Sequence, residues 1–106
     1  MDMEYKYYKD FLPSVRELWK SGGQHQRAAA TVQAVIGRIS TEEPDPFVGI
    51  PLTNHGESRI DKCAKYDLNG FCRLITVTDD GICCLLFAGS HKRCDRWIEN
   101  QRGFVP

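Results

Sequence analysis

The sequence predicts an α+β domain: a curled antiparallel sheet with a helical hairpin on one face and a C-terminal helix. Three observations carry that expectation. Apolar residues recur at helical spacing between 11 and 39 with one interruption, Gly22-Gly23. Short strand-like runs follow between 58 and 89, punctuated by Asn69-Gly70 and Asp79-Asp80-Gly81. Helical spacing then returns between 91 and 103. Two helices, a run of strands and a last helix make a helix-on-sheet layout.

Taken in order, "MEYKYY" alternates enough for an edge strand. From Lys9-Asp10 the pattern is helical, with Phe11, Val15, Leu18 and Trp19 on one face and Pro13 tolerated in the first turn. Ser21-Gly22-Gly23 stops that helix. The next, "QHQRAAATVQAVIGRIS", lines Ala28, Val32, Val35, Ile36 and Ile39 along one stripe, with His25 solvated near its start. "TEEPDPFVGIPLTN" (41–54), with three prolines and three acidic residues, is a loop crossing between layers.

The strands are "SRIDKCAKYDL", "FCRLITVT" and "ICCLLFAG", a meander joined at Asn-Gly and Asp-Gly, the pairs that supply the positive φ of tight hairpin turns. The third strand is apolar almost throughout and is therefore expected to be the most covered. In "HKRCDRWIENQRG", Cys94, Trp97 and Ile98 share a helical face and Gly103 lies past its end. All helices are expected on one face of the sheet.

A chain of 106 residues makes one domain, 1–106, around a single core. Its 42% apolar and 26% charged content suits a globular fold and argues against disorder. The longest apolar run, Gly81 to Gly89, is far short of the ~20 residues of a membrane helix. The charged N-terminus has no apolar signal core. A soluble cytoplasmic protein with no membrane partner is expected. Five cysteines, with no C-x-x-C and no zinc spacing, are expected to be reduced thiols, Cys83 and Cys84 pointing to opposite faces. With 14 basic and 14 acidic residues the net charge is zero, so no global field draws a polyanion, although a locally basic site remains open.

There is no Gly-rich phosphate loop, no G-x-S-x-G and no H-E-x-x-H. No cofactor and no metal are expected. What remains is cationic: Arg59 and Lys62 or Lys65 on the first meander strand, Arg73 on the second, and His91, Lys92 and Arg93 after the third. A meander brings the start of its second strand beside the end of its third, so Arg73 and His91 can share a rim. Arginine grips phosphate oxygens with two N–H groups and histidine exchanges protons near neutral pH, a pair suited to a phosphodiester. The same residues also allow a structural role, with Arg73 paired to Asp79, Asp80 or Asp67 and His91 capping the last helix.

The stretch "PLTNHGESRIDKCAKYDLNGFCRLITVTDDGICCLLFAGSH", with the helical hairpin before it, resembles the RelE/ParE superfamily of toxin domains. Members have a loop with a leucine, an R-I strand, a G-x-x-R-L strand, an apolar strand and a terminal histidine or cation. RelE- and YoeB-like members are ribosome-dependent endoribonucleases, whereas ParE-like members bind gyrase. The resemblance implies that Arg73 contacts the scissile phosphate and that His91 is the general acid. It implies RNA binding by Arg59, more loosely by Lys62, and by Lys92 and Arg93 beside the histidine. Partners would be mRNA, the ribosome and a cognate antitoxin protein. The chain departs from that pattern in having no acid near Gly49-Ile50, where YoeB-like members carry their glutamate base, and in having Lys92 where a tyrosine follows the histidine. The G-x-H-x-x-C-x-x-W form of residues 89–97 is similar to a RelE-like domain found ahead of superfamily I helicase modules in larger bacterial proteins. That likeness implies an alternative, a non-catalytic module that binds nucleic acid or protein.

Overall fold

The structure, a computed structural model, describes residues 3–53 and 55–105. Met1, Asp2, Asn54 at the end of the expected 41–54 loop, and Pro106 lie outside the described residues. Strand β1 (Glu4–Tyr7) leads to α1 (Phe11–Ser21) and α2 (Gly23–Ser40), then β2 (Cys63–Asp67), β3 (Cys72–Asp79), β4 (Ile82–Ser90) and α3 (His91–Asn100). The four strands form one sheet in the order β1-β4-β3-β2. The meander is antiparallel, but β1 runs parallel to β4, with Tyr5 beside Cys83. The sheet is therefore mixed, and β4 is central, as its apolar run implies.

The sheet packs on both faces. Between the helical hairpin and the sheet lie Phe11, Val15, Leu18, Ala28, Val32, Val35, Leu74, Cys83 and Leu85. The opposite face carries a second cluster of Ile60, Ile75, Val77, Cys84, Leu86, Phe87, Cys94, Trp97 and Ile98, so α3 lies across the sheet from the hairpin and not beside it. The amphipathic stripe of α3 is complete in Cys94, Trp97 and Ile98, and the hairpin already fills the other face. Cys83 and Cys84 divide between the two cores, and all five thiols are free. A register shift at Ile75/Thr76, paired with Phe87 and Leu85, turns both Leu86 and Phe87 towards α3.

Turn chemistry distinguishes the two hairpins. Asp80 and Gly81 both take positive φ (51° and 76°), the two-residue loop that matches strand twist. Asn69-Gly70 sits in a longer turn: Leu68 N–H bonds Cys72 O, Asp67 Oδ1 accepts from Gly70 N, and Asn69 Oδ1 accepts from Phe71 and Cys72 N. Trp19, expected on the buried face of α1, is 39% exposed. It stands one helical step (~100°) from Leu18, beyond the arc that the sheet and α2 cover.

Ser14 ties α1 to the central strand. Its buried hydroxyl donates to Phe11 O (2.6 Å) and accepts from Ala88 N (2.9 Å). Ser14→Ala would leave the Ala88 N–H buried without a partner, and a loss of about 1–3 kcal/mol in denaturant unfolding is expected. A change below about 0.5 kcal/mol would show that the bond is immaterial to stability.

Candidate functional site

On the α3 face of the sheet, at the edge of the second core, lies a cleft of about 300 Å³. Its lining comes from three sources: Pro51 to Thr53 and His55 of the long loop, Lys65, Asp67 and Arg73 of the sheet, and His91, Cys94, Asp95 and Ile98 of α3, with Arg59 alongside. Strand geometry puts these sheet residues on one face. Lys65 and Asp67 are two apart on β2, and Asp67 is the cross-strand partner of Arg73. On the other side Arg73 is paired with Gly89, which has no side chain to obstruct it. The loop is hung on the outer edge of β2 by Thr53 N to Lys65 O (2.9 Å) and Asp67 N to Pro51 O (2.8 Å). It forms the wall facing α3.

The two arginines differ in what they have left to offer. Arg59 is spent: Nε and Nη2 bond Glu57, Nη2 also bonds Asp95 at 2.8 Å, and Nη1 reaches Asp95 O and Glu99 Oε2. Arg73 Nη1 bonds Asp67 Oδ1 and Cys72 O, both at 3.3 Å. Among the described residues its Nε and Nη2 take no protein partner, which leaves one edge of the guanidinium for a two-point grip on an anion. His91 opens α3 at the same rim, its N–H bonded to Phe71 O (3.0 Å). Both His55 and His91 are exposed, and among the described residues neither imidazole is engaged by another side chain.

Cys94 is a wall and no nucleophile. Its thiol donates to Gly89 O and Arg73 O, and burial pushes its pKa up to about 12. Among the described residues no group of three or more His, Cys, Asp or Glu is arranged to hold a metal ion.

No protein-family model matches the chain, and no curated protein matches it in sequence. Solved structures do resemble it. YafQ from E. coli strain BL21(DE3) matches with a TM-score of 0.61 at 10% identity, over 88% of this chain and 98% of that one. The E. coli DinJ–YafQ toxin–antitoxin complex matches with a TM-score of 0.57 at 11% identity, over 88% and 97%. A metal-bound toxin from Helicobacter pylori matches with a TM-score of 0.57 at 18% identity, over 86% and 97%. The chain has the RelE-like fold.

Within this RelE-like fold the expected residues separate. Arg73 and His91 come together. Arg73 forms the pairing with Asp67 that the sequence also allowed, and the cap of α3 is Ser90, whose Oγ accepts from Arg93 N, rather than His91. Arg59 and Lys62 precede β2 instead of lying on it, because pairing with β3 begins at Cys63 opposite Val77. Lys62, at φ 58°, is carried to the far end of β3, where it pairs with Asp79 at 2.6 Å. It is remote from the cleft. Lys92 and Arg93 stand on the first turn of α3 outside the cleft lining, with Arg93 over the Phe87 ring at 5.9 Å. Sequence reasoning passed over His55, Asp95 and Glu57. All three belong to segments without strand periodicity or to a helix face that reads as solvated; a histidine in a glycine-bearing loop just before a cationic strand was the available signal.

Glu57 anchors the network beside the cleft. Its side chain, 4% exposed, pairs with Arg59 (2.8 Å) and Lys65 (3.4 Å), and the Arg59 hydrogen bonds hold its pKa down to about 2 from 4.5. A carboxylate with a depressed folded pKa stabilises above its unfolded value and loses that contribution as pH falls through the folded one. Stability should therefore decline between about pH 4.5 and 2. Glu57→Gln should flatten this part of a stability-versus-pH curve, and a curve unchanged by the substitution would remove Glu57 from the account.

Proposed function

We propose that the chain is a toxin-like, metal-independent endoribonuclease that cleaves mRNA on the ribosome and is restrained by a cognate antitoxin. The observation that carries this reading is the open guanidinium edge of Arg73 beside His91 and Lys65 in one cleft. In the reaction the ribose 2′-oxygen attacks the adjacent phosphorus while the bond from phosphorus to the 5′-oxygen breaks. Arg73 holds the non-bridging oxygens and offsets the charge that grows on them. Protonated His91 gives its proton to the departing 5′-oxygen, leaving a 2′,3′-cyclic phosphate and a 5′-hydroxyl.

Charge placement supports an anion at this rim. Lys92 and Arg93 sit in the first turn of α3, which carries no acidic residue, although cations there oppose the helix dipole. That arrangement costs helix stability and places positive charge on the turn that begins with His91. The toxin role draws support from the likeness to YafQ, which occurs in a toxin–antitoxin complex with DinJ.

The test is expression of the wild-type chain and of His91→Ala, with growth and message cleavage followed together. The variant should fold normally, since an exposed substitution typically shifts stability by within ~0.5 kcal/mol. Cleavage should fall about 100-fold, and growth inhibition with it. A wild-type chain that is harmless to cells and inert on translated messages would instead favour the non-catalytic module, with this cleft as its docking surface.

A further inference from the structure

The mechanism above leaves the 2′-hydroxyl proton without an acceptor, and no acid stands at Gly49-Ile50 to take it. Four side chains of the cleft lining can accept a proton: His55, His91, Asp67 and Asp95. Asp67 Oδ1 already accepts from Gly70 N at 2.6 Å and from Arg73 at 3.3 Å. Asp95 Oδ1 is held by Arg59 Nη2 at 2.8 Å. Both carboxylates are held through Oδ1, one in the turn and one in the arginine network. His91 serves the leaving group.

We propose that His55 is the general base of the reaction. The assignment rests on the nuclease reading and adds to it the acceptor it lacks. The loop that carries His55 is fastened to the outer edge of β2, whereas His91 enters from β4 at the start of α3. Between these walls the floor is β2 and β3, with Arg73 on the strand that separates β2 from β4. An in-line displacement places nucleophile and leaving group on opposite sides of phosphorus, so acid and base must approach from opposite sides of the phosphate that the arginine holds. One imidazole comes from the loop on β2 and the other from the start of α3, and both line the cleft with the guanidinium of the strand between β2 and β4, an arrangement that suits this requirement.

In the balanced step, the lone pair of neutral His55 takes the 2′-O–H proton as the bond from the 2′-oxygen to phosphorus forms. His91 releases its proton to the 5′-oxygen as that bond breaks. The enzyme ends with His55 protonated and His91 neutral, and proton exchange with water resets both. The charged groups facing His55 across the cleft are Lys65, Arg59 and Arg73 with His91, against Asp67 and Asp95.

The experiment compares wild type, His55→Ala, His91→Ala and Arg73→Ala on a message carried by ribosomes, as a function of pH. His55→Ala should lose about 100-fold in cleavage and, with it, the acid limb of the rate profile, while keeping the wild-type unfolding midpoint. A second substrate, with the scissile 5′-oxygen replaced by sulfur, has a leaving group that needs no protonation. On it His91→Ala should recover and His55→Ala should not. If His55→Ala cleaves within threefold of wild type while the other two variants are inactive, the assignment falls and the nuclease reading stands. A loss of activity that leaves the acid limb intact also overturns it. A wild-type chain that cleaves no RNA overturns both.

Discussion

Arg73→Ala is expected to lower RNA cleavage by about 10²–10³-fold, the cost of removing one preorganised donor group from a developing oxyanion. The structure gives reasons for expecting the effect in the chemistry and not in the fold. Arg73 is only 17% exposed, yet its ion pair with Asp67 is a single bond of 3.3 Å, and Asp67 keeps its bond to Gly70 N when the arginine is gone. Arg73→Lys should recover only part of the loss, since an ammonium restores the charge but not the planar two-point fork. The contrast is Arg59→Ala. That substitution leaves Glu57, whose side chain is 4% exposed, with Lys65 at 3.4 Å as its remaining ion-pair partner, and should lower stability first and activity only in consequence. Cleavage rates and unfolding midpoints measured on the same preparations separate the two. Equal activity loss per unit of stability loss in both variants would leave Arg73 with no role beyond structure.

The difference between these arginines was out of reach of the sequence. Both read as strand cations, but beyond the nearby Glu57 the carboxylates that occupy Arg59 lie 36 and 40 residues away on α3. Local patterning was a better guide to the elements themselves. Phe11, Val15 and Leu18 bury where their spacing places them, and Asp80-Gly81 makes the turn its residues favour. Those outcomes depend on neighbours within a few residues. The parallel pairing of β1 with β4 joins strands from opposite ends of the chain, and α3 crosses to the second face because the hairpin fills the first. Neither leaves a local trace. His55 reaches the cleft because Leu52 bridges Tyr66 and docks the loop on β2, a contact that no periodicity announces. Of the residues the resemblance named, Arg73 and His91 line the cleft and Lys62 does not.

Trp97→Ala is expected to reduce stability by about 3–5 kcal/mol, as for other large aromatic truncations in a core. Against a total of roughly 5–15 kcal/mol for a domain, that leaves a substantial unfolded population under mild denaturant. The ring, 8% exposed, stacks on Phe87 at 5.5 Å and 16°, and meets the edge of Tyr8 at 6.2 Å and 74°. Its Nε1 donates to Asp10 Oδ2 at 3.0 Å, fastening α3 to the chain just ahead of α1. Trp97→Phe keeps most of the stacking and loses only that hydrogen bond, so it should cost about 1 kcal/mol and retain cleavage. The pair of variants isolates the role of the helix. Under conditions where Trp97→Ala is still folded, its cleavage should fall further than the folded fraction accounts for, because the helix that His91 begins helps to aim it. A Trp97→Ala protein that unfolds at the wild-type denaturant concentration would mean that Cys94 and Ile98 suffice to hold α3, and that the direction of His91 is set by Ser90 and the Phe71 carbonyl alone.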